Sequence, residues 1–123
     1  MVFLEEIENK IQAIYLKVLE KRHLRNLNGK TLNCQSFRKI AEEIKYVIRD
    51  GSNEGAGVID IAGSIVLKVI NENYFVHENH EMAALIGYIY LVRQNVKVKN
   101  YSIKGISNIS TSDEIKNIIT SWL

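Results

Sequence analysis

An all-α domain of five helices is predicted by three features of the sequence. Apolar residues recur every three or four positions through five segments, the stretches between them show at most a short alternation, and no proline interrupts the chain. With 123 residues, 46% of them apolar and 24% charged, the chain has the length and balance of one globular unit with one core. Residues 1–123 are therefore read as a single domain.

The first helix is expected over residues 3–22, where Phe3, Ile7, Ile11, Ile14, Tyr15, Val18 and Leu19 follow the helical period. "RNLNGKTLN", residues 25–33, breaks the pattern and reads as a loop. A second helix runs from about Cys34 to Arg49, with Phe37, Ile40, Ala41, Ile44, Val47 and Ile48 on its inner face. "RDGSNEGAG" follows, and its three glycines predict a flexible connection that ends the helix before Gly51. Residues 58–71 are rich in β-branched side chains, but their length favours a helix over a strand. The wide apolar arc of Val58, Ile59, Ile61, Ala62, Ile65, Val66, Val69 and Ile70 makes this a central helix. Its expected partner covers residues 79–94, with Met82, Ala83, Leu85, Ile86, Ile89 and Tyr90 turned inward. Gly63 and Gly87 each cost about 1 kcal/mol relative to alanine within a helix, which close packing of the two central helices would explain. After an irregular or briefly extended piece in "VKVKNYSIKGISNIS", Thr111 and Glu114 have the spacing of a capping box. Ile115, Ile118, Ile119 and Trp122 form the buried face of the closing helix.

Charge and composition narrow the function classes. The net charge of +2 is nearly neutral, and the most basic window, "EKRHLR" at residues 20–25, reads as a solvated helix end, so nothing supports nucleic-acid binding. Cys34 stands alone and reads as a small, inert, partly buried side chain in an intracellular protein. The acidic start "MVFLEEIENK" lacks signal-peptide character, and no apolar run reaches the length of a membrane span. A soluble, cytoplasmic protein is expected.

The candidate site is "HENHE", residues 77–81, ahead of the fourth helix. His77, His80 and Glu81 stand at i, i+3 and i+4, so they could converge on a metal ion if His23 or a distant carboxylate supplied another ligand. The spacing is not that of H-E-x-x-H, however, and a solvated, acidic first turn favoured by the helix dipole is the plainer reading. No metal is assigned.

The flanking order adds a resemblance. Asn73-Tyr74-Phe75-Val76-His77-Glu78-Asn79-His80-Glu81-Met82-Ala83 resembles the Fic/Doc (death-on-curing) signature, H-P-F-x-[DE]-G-N-[KG]-R-T-A, with Phe75, Asn79 and Ala83 matching. "ALIGYIYLVRQNVKV", with Leu91 and Asn95, is similar to the helix that follows in that family, and "STSDEIKNIITSWL" to its closing helix. The resemblance covers about residues 58–123. It implies a helical domain in which the signature cradles a nucleotide, a histidine accepts a proton, an acidic residue holds magnesium and an arginine neutralises phosphate.

Those roles would fall here on Asn73, His77 and Glu81, and none of the three can fill them. Asn73 has no titratable group, a neutral imidazole at His77 is a poor magnesium ligand, Glu78 replaces the glycine, and Glu81 inverts the charge of the arginine. One charge pair about 4 Å apart is worth on the order of 4 kcal/mol at an effective dielectric of 20, so two carboxylates at the cradle should reject a nucleotide. The expectation is a degenerate, non-catalytic domain without cofactor that binds a protein partner, with Phe75 anchoring the loop and Asn79 capping the fourth helix. Two alternatives stay open: a divergent nucleotidyl- or phosphotransferase using His77 or His80, and an unrelated helical interaction protein. Self-association into a homo-oligomer is undecided by the sequence.

Overall fold

A computed structural model describes residues 3–21, 31–108 and 111–123. The order is α1 (Phe3–Lys21), α2 (Phe37–Asn53), α3 (Val58–Glu72), α4 (Asn79–Arg93) and α5 (Ser112–Ser121), with a single 3-10 turn at Ile106–Asn108 before α5. The all-α prediction holds, and the only β pairing among the described residues is an isolated antiparallel bridge between Leu32 and Phe75. No described helix is long and apolar enough to cross a membrane. His23, most of "EKRHLR" and the first residues of the expected loop lie outside the described residues, as does the Phe3 side chain.

Helix α3 is the hub, packed against α2, α4 and α5, and its contact with α4 is the most extensive in the molecule. Ala62, Ile65, Val66 and Val69 of α3 and Met82, Ala83, Ala84 and Leu91 of α4 are fully enclosed. The expected close approach centres on Gly87, where an added Cβ would stand 2.7 Å from Val66 Cγ2. Gly63 instead faces α5, 3.3 Å from Ile115 Cγ2. The two glycines thus serve different interfaces, which spacing along one helix could not separate. Gly87→Ala gains about 1 kcal/mol of helix propensity but overpacks the interface at a cost of about 1–3 kcal/mol. Urea denaturation should show a net loss of stability, and a gain would mean that α3 and α4 can move apart freely.

Helix α2 corrects the expected boundary. It continues through Gly51 to Asn53 and stops at a hydrogen-bonded cap, in which Gly55 N–H donates to Ser52 O (3.1 Å) and Ala56 N–H to Gly51 O (2.9 Å). Gly55, at φ +76°, is the left-handed residue of this Schellman turn. Gly51 is not a breaker: Ile61 Cγ1 lies 2.7 Å from where its Cβ would be, so the glycine admits α3. Two glycines four apart look like one flexible stretch in sequence, yet one is a packing contact and the other a stop. Helix α4 ends the same way, with Asn95 at φ 63° and Val96 N–H donating to Leu91 O at 3.0 Å.

The capping box expected at Thr111 is present in its first half. Thr111 Oγ1 accepts the Glu114 N–H at 3.2 Å, and the Glu114 carboxylate accepts from the Thr111 hydroxyl at 3.0 Å. Ile115, Ile119 and Trp122 are fully buried, while Ile118 is partly so.

Candidate functional site

Residues 73–78 connect α3 to α4. Helix α3 ends at Asn73, whose left-handed backbone (φ 51°) aims its N–H at Val69 O, 3.1 Å away. Asparagine tolerates this conformation because its short polar side chain can bond locally. Here the Asn73 Oδ1 accepts from Asn79 Nδ2 at 2.7 Å.

Phe75 is fully buried and is the apolar anchor of the loop, its ring centroid 4.5 Å from that of Tyr15 and 6.4 Å from that of Tyr74. Tyr74 is buried as well and donates its hydroxyl to Glu43, a carboxylate that also pairs with Lys39 (3.6 Å) and Lys68 (3.8 Å). Burial above all, and then the Glu43 carboxylate, push the Tyr74 phenol far above its ordinary range. It is a structural donor with no acid–base role near neutrality.

Asn79 does not cap α4 as the sequence suggested. The N-cap is Glu78, held at φ 65° with no side-chain cap bond, and Asn79 is the first helical residue. From there the Asn79 amide reaches back to clasp the loop: Oδ1 accepts Phe75 N–H (3.0 Å), and Nδ2 donates to Phe75 O (2.6 Å) and to Asn73 Oδ1 (2.7 Å). The left-handed turn at Glu78 displaces the helix start by one residue, which converts a cap into a clasp. Asn79→Asp keeps an acceptor for the Phe75 N–H but loses both donors. It should cost about 0.5–1.5 kcal/mol in urea unfolding, the net worth of a lost hydrogen bond, since Phe75 O keeps its Asn33 donor and Asn73 Oδ1 is open to water. An unchanged midpoint would show that the clasp carries no weight.

The other backbone groups of the loop are engaged by partners that the sequence did not identify. Val76 N–H donates to Thr31 O (3.0 Å), Asn33 N–H donates to Tyr74 O (2.7 Å), and the Asn33 amide donates to Asn73 O (2.9 Å) and Phe75 O (3.0 Å). Residues 31–33 thus lie along the loop as a strap. Tyr15 completes the arrangement from α1, its hydroxyl accepting His77 N–H and lying 3.2 Å from both Thr31 O and His77 O. Burial pushes the Tyr15 phenol up, so it stays protonated as a donor. A tyrosine in an apolar helical stripe was the available clue, because a buried phenol needs a partner. Asn33 offered none, since its partners are 40 and 42 residues away. Cys34 sits beside the strap, partly buried, with its thiol pushed up by burial, which makes it a poor nucleophile.

The "HENHE" side chains separate. His80 is exposed and His77 half-buried, whereas Glu81 is turned in, its side chain 9% exposed and its carboxylate 3.5 Å from Lys21 Nζ on α1. Among the described residues no three His, Cys, Asp or Glu side chains group so as to hold a metal ion. The expected pair of carboxylates at a phosphate mouth is also corrected: Glu78 is half-buried, and Glu81, the third residue of α4, is buried against α1. Near Glu81, the Tyr101 hydroxyl is the one buried side-chain polar atom among the described residues without a hydrogen-bond partner. Burial, with the Glu81 carboxylate as a second cause, holds its phenol far above the ordinary range.

No protein-family model, curated protein or solved structure matches this chain.

Proposed function

We propose that this chain is a Fic/Doc-like helical domain that has lost the family's nucleotide chemistry and works by binding a protein partner. The observation that carries the reading is the backbone at Glu78. The resembling signature has glycine at this position, and here a glutamate holds φ 65°, the left-handed conformation that glycine adopts at no steric cost. Such a conformation costs an ordinary residue roughly 1–2 kcal/mol. It stands between Phe75 and Asn79, two of the three matching residues, which pin the loop, while the positions that would do chemistry hold Asn73, His77 and Glu81. An ordered loop with replaced reactive groups suits recognition better than catalysis.

The hydrogen bonds support the same reading. The N–H groups of Phe75, Val76 and His77 are spent on Asn79, Thr31 and Tyr15, so this part of the loop offers no free donors to a phosphate. Asn73 is tied to Asn79 and offers no base. What faces outward is polar and unreactive. An intracellular setting accords with the lone cysteine.

Titration calorimetry with magnesium and ATP is the direct test, and the wild type should give no binding isotherm. Measurable affinity would overturn the non-catalytic reading and favour a transferase using His77 or His80. Partner binding is tested by affinity capture with the wild type and with the surface variant Glu78→Lys/His80→Ala, which spares the buried rings. A partner retained equally by both proteins would place the interaction elsewhere. Glu78→Gly should raise stability by up to about 1 kcal/mol, as relief of the left-handed strain outweighs the added freedom of the unfolded chain.

A further inference from the structure

Helices α1 and α4 run antiparallel and are tied at both ends, by Glu6 with Arg93 and by Lys21 with Glu81. Toward the Glu6–Arg93 end they do not close on each other. An open cleft remains there, floored by α2 and α3 and continuous with solvent. Its walls are eight isoleucines from the four helices, Ile11, Ile44, Ile65 and Ile89 among them, and a single aromatic residue, Tyr90. Such a lining presents branched aliphatic surface with no opposed ring faces, a match for a hydrocarbon chain rather than a flat aromatic ligand.

The mouth adds a charge preference. Of the ionic groups that line the cleft, Glu6 and Arg93 neutralise each other, whereas Lys10 makes no ion pair with any described residue. One uncompensated cation therefore stands at the opening of an aliphatic slot. From this pairing we propose that the cleft binds a medium-chain aliphatic carboxylate, with the chain between α1 and α4 and the carboxylate on Lys10. This site is distinct from the loop at residues 73–78 and independent of the function proposed for it.

Titration calorimetry of the full chain with hexanoate, octanoate and decanoate, each below its micelle concentration, tests the assignment. Affinity should rise about fourfold per methylene, the value of one buried CH₂ group. Lys10→Gln should weaken octanoate about fivefold and leave 1-octanol unchanged. Ile89→Trp, which fills the slot from its half-buried rim, should abolish binding of both while circular dichroism shows an intact helical fold. The proposal fails if the wild type binds none of the three acids, or if folded Ile89→Trp binds octanoate as well as the wild type does. It fails equally if Lys10→Gln weakens the alcohol as much as the acid. Sedimentation showing a wild-type dimer that Ile89→Trp dissociates would also overturn it, by making a second copy the occupant.

Discussion

Phe75→Ala is expected to lower the stability of the domain by about 3–5 kcal/mol, the range for emptying a large aromatic site in a core. The ring is fully enclosed and sits against Tyr15, and its backbone is bonded to Asn79, Asn33 and the strap. Its loss therefore leaves a cavity beneath a loop whose polar groups are aligned by that ring. Hydrogen exchange should report the local consequence: the amides of Val76, His77 and Asn33, which donate to Thr31, Tyr15 and Tyr74, should lose protection before those of the α3–α4 interface. A loss below about 1.5 kcal/mol, or unchanged exchange at these amides, would show that the loop holds its shape without the anchor. Because the functional proposal rests on an ordered loop shape, it would lose its footing with that result.

Trp122→Ala should be comparably severe, at about 3–5 kcal/mol. Trp122 is fully buried, its ring lies 5.0 Å from that of Tyr101, and its indole N–H donates to Ser102 O at 2.9 Å. Its carbonyl accepts from both Lys99 (2.8 Å) and Asn100 (2.9 Å), so this residue fastens the irregular segment after α4 to the end of α5. Truncation removes the ring that orders residues 99–102 and leaves the Ser102 carbonyl without its donor. Thermal unfolding followed by circular dichroism checks the magnitude, and Trp122→Phe, which keeps the ring packing but not the indole donor, should recover most of the loss. If phenylalanine recovers nothing, the hydrogen bond outweighs the packing and the cavity argument is wrong.

Much of this architecture was legible because helices advertise themselves locally. The stripes at Ile11, Tyr15, Val18 and Leu19, and at Ile40, Ala41 and Ile44, predicted faces that are buried. The errors fell where one residue type has two physical uses. Gly51 and Gly55 both read as breakers, yet the structure uses the first as space for Ile61 and the second as a left-handed stop. Asn79 read as a cap from its type and position, and the left-handed Glu78 before it moved the helix start and freed its amide for the loop. Glu81 read as a surface carboxylate and is enclosed against α1.

By itself the sequence determined the helical class, the identity of the central pair and the capped start of α5, since each depends on neighbours within a few positions. Only the tertiary structure decided what holds the candidate loop in place. Tyr15, Thr31 and Asn33 come from the first third of the chain, where no local pattern marked them as partners of residues 73–77, and their hydrogen bonds exist only after α1 has packed beside α4. The isoleucine cleft is likewise a property of four helices together: each contributes an ordinary apolar stripe, and the gap arises because two stripes that face each other are held apart at one end.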